Sequence, residues 1–170
     1  MLFTYISASP FIIQKIYGMS ALQFSIMFAA IGITLIISSQ LVGVLVDRIE
    51  RRQLLKIVTY IQVLGVVIVA ITLLNHLSFW ILVIGFIILV APVTAVASLG
   101  FSIAMDESTR GRGSASSLLG LVQFLLGGLM SSLVNVMGEH NVIPYVVIIS
   151  MTAVIMIILQ TIYTRLQRRS

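Results

Sequence analysis

The sequence predicts an all-α membrane protein, and three observations carry that prediction. Of its 170 residues, 59% are hydrophobic and only 9% are charged. A soluble domain carries about a quarter charged residues, because its surface must face water. The apolar residues also come in long runs, several of which reach the roughly 20 residues a helix needs to cross the hydrocarbon core. Finally, the basic residues sit in the short breaks between alternate runs, as the positive-inside asymmetry of membrane proteins requires. Topology therefore accounts for the net charge of +5, and nucleic-acid binding is not expected.

Residues 1–16 are apolar but interrupted by Ser7, Ser9 and Pro10. The stretch is short for a span and is expected to be the outer part of a helix whose cytoplasmic beginning is missing, so that Met1 starts within the membrane. No basic residue precedes the apolar run 1–13 and Lys15 follows it, which is the wrong order for a signal peptide. Residues 23–46 form the first full span. Ser25, Ala29, Gly32, Ser39 and Gly43 fall on one face of it, and small residues let helix backbones approach closely in a membrane. Residues 54–74 form the second span, dominated by Ile, Val and Leu and read as lipid-facing. Residues 79–104 form the third, with Trp80 as an interfacial anchor. Pro10 and Pro92 are expected to bend their helices, since each leaves a backbone carbonyl without its donor. Residues 114–137 repeat the small-residue device through Gly113, Ser116, Gly120, Gln123, Gly127 and Ser131. Gly32, Ser39, Gly120 and Gly127 are thus the expected packing positions. Residues 142–163 form the last span, again read as lipid-facing, and residues 165–170 form a basic tail.

Arg48, Arg51, Arg52 and Lys56 lie between the first two full spans, Arg110 and Arg112 between the third and fourth, and Arg165, Arg168 and Arg169 after the last. All nine fall on one side, and only Lys15 falls on the other. That side is expected to be the cytoplasm, with the C-terminus inside and the chain crossing the plasma membrane several times. His76 and His140 then lie in outward loops, where no metal site is expected. The Asp106-Glu107 pair reads as solvated charge. The chain has no cysteine, which removes disulfides, thiolate nucleophiles and thiolate metal sites. There is no phosphate-binding glycine loop and no catalytic triad. Neither enzymatic activity nor a cofactor is expected.

The loop after the first full span carries the densest signal. It reads Gly43-Val44-Leu45-Val46-Asp47-Arg48-Ile49-Glu50-Arg51-Arg52. Asp47 can accept hydrogen bonds from a helix N-terminus or pair with an arginine, and the arginines can bridge to neighbouring acids. Such contacts latch one conformation and release in another. A plain positive-inside loop has the same composition. The segment resembles the cytoplasmic G-x-L-x-D-R-x-G-R-R motif of the major facilitator superfamily, with Glu50 in place of the second glycine. Phe3-Thr4-Tyr5-Ile6-Ser7-Ala8-Ser9-Pro10-Phe11, Tyr17-Gly18-Met19-Ser20 and Phe24 resemble the seventh helix and following loop of Bcr/CflA-type drug-resistance transporters. Gly113-Ser114-Ala115-Ser116-Ser117-Leu118-Leu119-Gly120 with Gln123-Phe124-Leu125 resembles their eleventh helix. The resemblance covers nearly the whole chain.

The resemblance implies the C-terminal six-helix bundle of the major facilitator fold, its first helix truncated. Residues 1–16 would be family helix seven, residues 17–164 helices eight to twelve, and residues 165–170 a cytoplasmic tail. It implies that the seventh and tenth helices line a cavity, that the eighth and eleventh pack against the other half, and that the ninth and twelfth face lipid. The implied function is part of a proton-linked multidrug efflux transporter, inactive alone, with amphipathic small-molecule drugs as substrates. The full spans carry no Asp, Glu, Lys or Arg at membrane depth, and proton coupling usually needs a titratable group there. Protons would accordingly be handled by the missing N-terminal half. Tyr5, Ser7, Ser9 and Gln123 are the expected substrate-cavity residues. Gly43, Asp47, Arg48, Arg51 and Arg52 are the expected conformational latch. For Gln40 and Gln123, interhelical glue is favoured over substrate contact. The competing readings are a non-transporting membrane subunit or scaffold, and a truncated gene product.

Overall fold

A computed structural model of the chain describes residues 1–107, 112–138 and 141–167. Among these residues the structure is helical throughout, with no strand. The expected charges Arg110, Arg168 and Arg169 and the loop residue His140 lie outside the described residues, as does the side chain of Arg112.

Helix α1 spans Leu2–Pro10 and runs on directly into a wider π-helical segment, Phe11–Ile16. Pro10 explains the change. It has no N–H to offer the Ile6 carbonyl, and its ring crowds that carbonyl. The Ser9 hydroxyl donates to the Ile6 oxygen instead, at 3.4 Å, and the turns beyond loosen, as membrane helices do to re-satisfy freed groups. The segment closes when the Tyr17 and Met19 amides donate to the Ile12 and Ile13 carbonyls, each at 3.2 Å. Gly18 takes the left-handed conformation this closure needs, φ +66°.

Helix α2, Ala21–Leu45, opens on a capping box. The Gln23 amide donates to the Ser20 hydroxyl at 3.2 Å, and the Ser20 amide donates to Gln23 Oε1 at 2.9 Å. A five-residue connection, 46–50, leads to α3, Arg51–Leu74. Helix α3 ends when the Leu77 amide donates to the Thr72 carbonyl at 3.0 Å, with His76 in the left-handed position at φ 50°. The run expected at 79–104 is divided: α4 is Phe79–Val90 and α5 is Val93–Glu107, with Ala91 and Pro92 between them. Helix α6 spans Arg112–Gly138 and α7 spans Ile143–Gln167. Asn141 Oδ1 accepts from the Ile143 amide at 3.1 Å at the start of α7, and Pro144 sits in the first turn, where no donor is missed. Five stretches are long and apolar enough to cross a membrane: α2, α3, α4 with α5 taken as one, α6 and α7.

Helix α3 is the hub, packing against α4, α5 and α7. Further contacts include α1 on α6 and α7, α2 on α4 and α5, and α6 on both α5 and α7. The larger core joins Tyr5, Ile12, Ile31, Val69, Phe86, Tyr145 and Ile149 from five helices. A smaller core of Val42, Leu54, Val58, Ala95 and Leu99 ties α2, α3 and α5 at the Arg51 end.

The reading of residues 54–74 as an outer helix needs correction. Within this chain α3 is the most buried span, with 44% of its most apolar window covered, against 11% for α2 and 6% for α6. Glycine is the reason. A Cβ placed on Gly65 would collide with the Leu89 backbone, and one on Gly85 would collide with Val69 and Ile68. The two glycines bring α3 and α4 nearly backbone to backbone. The opposite face of α3, with Tyr60, Leu64, Val67 and Ile71, does remain exposed. Conversely, the positions expected to pack mostly stand open: a Cβ on Gly32 or Gly120 meets nothing within 4 Å, and Ser39 is exposed. Gly127 is the exception, lying against the Phe3 ring.

Candidate functional site

The segment singled out as a latch lies at the end of the bundle where α2 stops, α3 starts and α5 ends. Arg51 opens α3 and reaches across to α5. One guanidinium nitrogen donates to Asp106 Oδ2 at 2.7 Å and to the Ser102 hydroxyl at 3.1 Å. Ser102 and Asp106 are four residues apart, one above the other on the same helix face. Asp106, read from sequence as solvated charge, is thus the acid that Arg51 bridges to. Both side chains remain wet, at 46% and 64% exposure, so the pair contributes about 0.2–1 kcal/mol rather than anchoring the fold. Arg52 is held by interactions of its own. No side-chain hydrogen bond or ion pair engages Asp47 or Arg48 among the described residues; the Arg48 amide donates to the Leu45 carbonyl at 3.0 Å.

Beside this tie lies an open cavity of about 250 Å³ between α2 and α5, floored by Gly43, Val46, Ser98 and Ser102. A Cβ on Gly43 would meet nothing within 4 Å, so within this chain Gly43 leaves space rather than closing a contact. The tie adds one weak, exposed, polar contact between the first turn of α3 and the far half of the broken α4–α5 run, beside the smaller apolar core that already joins α3 to α5.

The four residues expected to line a substrate cavity do not come together. Tyr5 and Ser9 are one turn apart and both point into the bundle, at 2% and 0% exposure. The Tyr5 ring stacks on Phe28 at 5.8 Å and meets Phe86 edge-on at 5.0 Å, joining α1, α2 and α4. Ser7 lies on another face of α1, where its hydroxyl bonds that of Ser131 on α6. Gln123 is exposed on α6, as Gln40 is on α2. Sequence reasoning missed Gln62, a buried polar side chain in the middle of α3 at 2% exposure, whose Oε1 has no partner. The Tyr5 and Tyr145 hydroxyls are also buried without a partner. A glutamine inside an Ile/Val-rich run was the available signal.

At the opposite end, Tyr17, Phe79 and Trp80 form an aromatic group, with ring centroids 5.6 and 5.7 Å apart. The Tyr17 hydroxyl donates to the Leu77 carbonyl at 3.1 Å. Partial burial raises its pKa above the ordinary tyrosine value, which keeps it a donor. Trp80 is 72% exposed, as an interfacial anchor is.

Five apolar spans, one of them broken at a proline, with an aromatic group at one end and a basic polar tie at the other, define a multi-pass helical membrane protein. Comparison with known proteins makes this specific. The model of the Major Facilitator Superfamily matches residues 1–132, and the chain belongs to that superfamily. It is 33% identical over 153 residues to the uncharacterized MFS-type transporter YdgK of Bacillus subtilis, covering 90% of this chain and 38% of that protein. It is 31% identical over 143 residues to the bicyclomycin resistance protein homolog of Haemophilus influenzae, covering 84% of this chain and 36% of that protein. The chain spans less than two-fifths of the length of these curated relatives. The resemblance drawn from the loop motif and the two helix stretches agrees with these matches.

Proposed function

We propose that the chain forms the C-terminal part of a multidrug efflux transporter that works by alternating access. In this reading residues 1–16 belong to family helix seven, residues 17–164 supply helices eight to twelve, and residues 165–170 are a cytoplasmic tail. The protein resides in the plasma membrane. The observation that carries the reading is the Arg51–Asp106–Ser102 tie. It joins the motif loop to the far half of a broken helix by a contact weak enough to make and break, which a conformational latch requires. The similarity to a bicyclomycin resistance protein homolog supports drug efflux as the direction. The open faces of α2 and α6 support a partner half, because these two spans are the least covered. Proton coupling is assigned to that half, since Asp106 and Arg51 stand in water at a helix end rather than at membrane depth. The substrates are amphipathic small molecules, and this chain is inactive alone.

Ethidium accumulation in cells tests the reading. The chain should be expressed alone and together with the N-terminal half of a bicyclomycin-resistance-type transporter. Accumulation should fall only when both halves are present. Unchanged accumulation with both, alongside stable co-purification of the chain with another membrane protein, would favour a scaffold instead. Efflux by the chain alone would overturn its dependence on a partner.

A further inference from the structure

An open cavity of about 350 Å³ lies between α3, α5 and α7. It shares no helix face with the predicted drug-cavity residues. Its walls are apolar, with Leu55, Val96, Ile103, Met156 and Leu159 the bulky contributors. Three side chains carry polar groups, Thr59, Gln160 and Tyr163, and of these Gln160 has an amide nitrogen that is buried with no hydrogen-bond partner. A buried N–H without an acceptor is costly, and more so in hydrocarbon. The volume falls within the ~300–1,000 Å³ of small-molecule sites.

We propose that this cavity binds one anionic glycerophospholipid from the leaflet on the Arg51 side. Depth supports a lipid. Leu55 and Thr59 line the cavity in the second and third turns of α3, and Arg52 shares their face nearer the end. Seven residues separate Arg52 from Thr59, a rise of about 10 Å. That distance carries a bound molecule from the headgroup level past the glycerol esters into the acyl region. Gln160 offers its amide to an ester carbonyl oxygen, and the apolar walls take the upper acyl chain. The cavity opens to the bilayer on this side, because Leu159 is both a wall residue and 61% exposed. Charge selects the headgroup. At the rim end of α3, Arg51, Arg52 and Lys56 outnumber the acids Glu50 and Asp106, the latter paired with Arg51, so the balance favours a phosphate-bearing anion over a cationic amphiphile. Basic residues near the surface are known to draw anionic lipid in this way. The inference does not rest on the transport reading.

Native mass spectrometry of the purified chain, titrated with phosphatidylglycerol or phosphatidylcholine, tests it. Wild type should retain one phosphatidylglycerol, about tenfold more tightly than phosphatidylcholine. Gly100 lines the cavity, and a Cβ there meets nothing within 4 Å. Gly100→Leu should therefore fill the space and abolish the retained lipid while elution and helical content stay unchanged. Gln160→Leu removes the donor and should weaken retention about fivefold. Gly128→Leu, equally open but on α6, should match wild type. Undiminished retention in both Gly100→Leu and Gln160→Leu would overturn the site. Equal retention of the two lipids by wild type would overturn its selectivity for anions.

Discussion

Arg51 donates to Ser102 and Asp106 from a single guanidinium nitrogen, yet the pair stands about half in water. Replacing Arg51 by Ala, or Asp106 by Asn, should therefore lower the stability of the chain by less than about 1 kcal/mol. The loss should shrink further as salt is raised from about 0.1 to 1 M, where the screening length drops to about 3 Å. Thermal unfolding in detergent at the two salt concentrations measures this. A much larger, salt-independent loss would mean the pair is a structural anchor and not a latch. Half of this contact is legible in the sequence: an arginine in a motif loop announces itself. Asp106 is not, because an acidic pair before a loop looks the same whether it is solvated or bridged. Only the fold brings the end of α5 beside the start of α3. The same limit applies to Tyr5, Ser7 and Ser9. They are neighbours in the chain, but a helix turns about 100° per residue, so Ser7 faces α6 while Tyr5 and Ser9 face the core.

At the scale of elements, close approach is set by two glycines that composition hides. Gly65 lies in a run so rich in Ile and Val that the helix reads as lipid-facing, and Gly85 lies in an equally apolar one. Together they seat α3 on α4. Gly65→Ala should separate these helices and cost about 1–3 kcal/mol, the ordinary penalty for overpacking. Gly120→Ala should change the stability of the isolated chain by no more than about 0.5 kcal/mol, because nothing faces it. Chemical denaturation of the two variants side by side distinguishes a packed glycine from an open one. The existence and order of the spans are legible, with ends placed within about four residues, since length and hydropathy suffice for that. Which face of a span is covered is not, because lipid and a neighbouring helix reward the same apolar side chains. The α1–α6 contact is a further case. The Ser7–Ser131 bond should show a coupling of about 0.6 kcal/mol in a double-mutant cycle to Ala, the usual worth of an interhelical hydrogen bond in a membrane. A coupling near zero would leave the Phe3–Gly127 contact as what holds the two helices together.

For the whole molecule, orientation and assembly are the two open quantities, and the sequence makes the first directly measurable. The chain has no cysteine, so a single introduced thiol reports its own location. Gln53 lies at the start of α3 and Ser78 just before α4, and both are exposed. Under the positive-inside rule, Ser78→Cys should react with an impermeant maleimide in intact cells, and Gln53→Cys should react only after permeabilisation. The reverse pattern would invert the topology and place Arg51 outside. Assembly follows from the uneven coverage of the bundle. Helices α2 and α6 carry the small-residue faces, yet they are the least buried spans. In a membrane there is no hydrophobic penalty for leaving them bare, but small residues gain van der Waals contact only when another backbone comes close. Under the proposed function these faces meet a second bundle. Gly120→Leu separates this account from one in which the faces simply meet lipid. It should leave the isolated chain as stable as wild type, since the added side chain enters open space. It should also sharply reduce co-purification with the N-terminal half, because a leucine holds the two backbones apart. If Gly120→Leu co-purifies with that half as well as wild type does, the α6 face is a lipid surface, and the two halves must meet elsewhere.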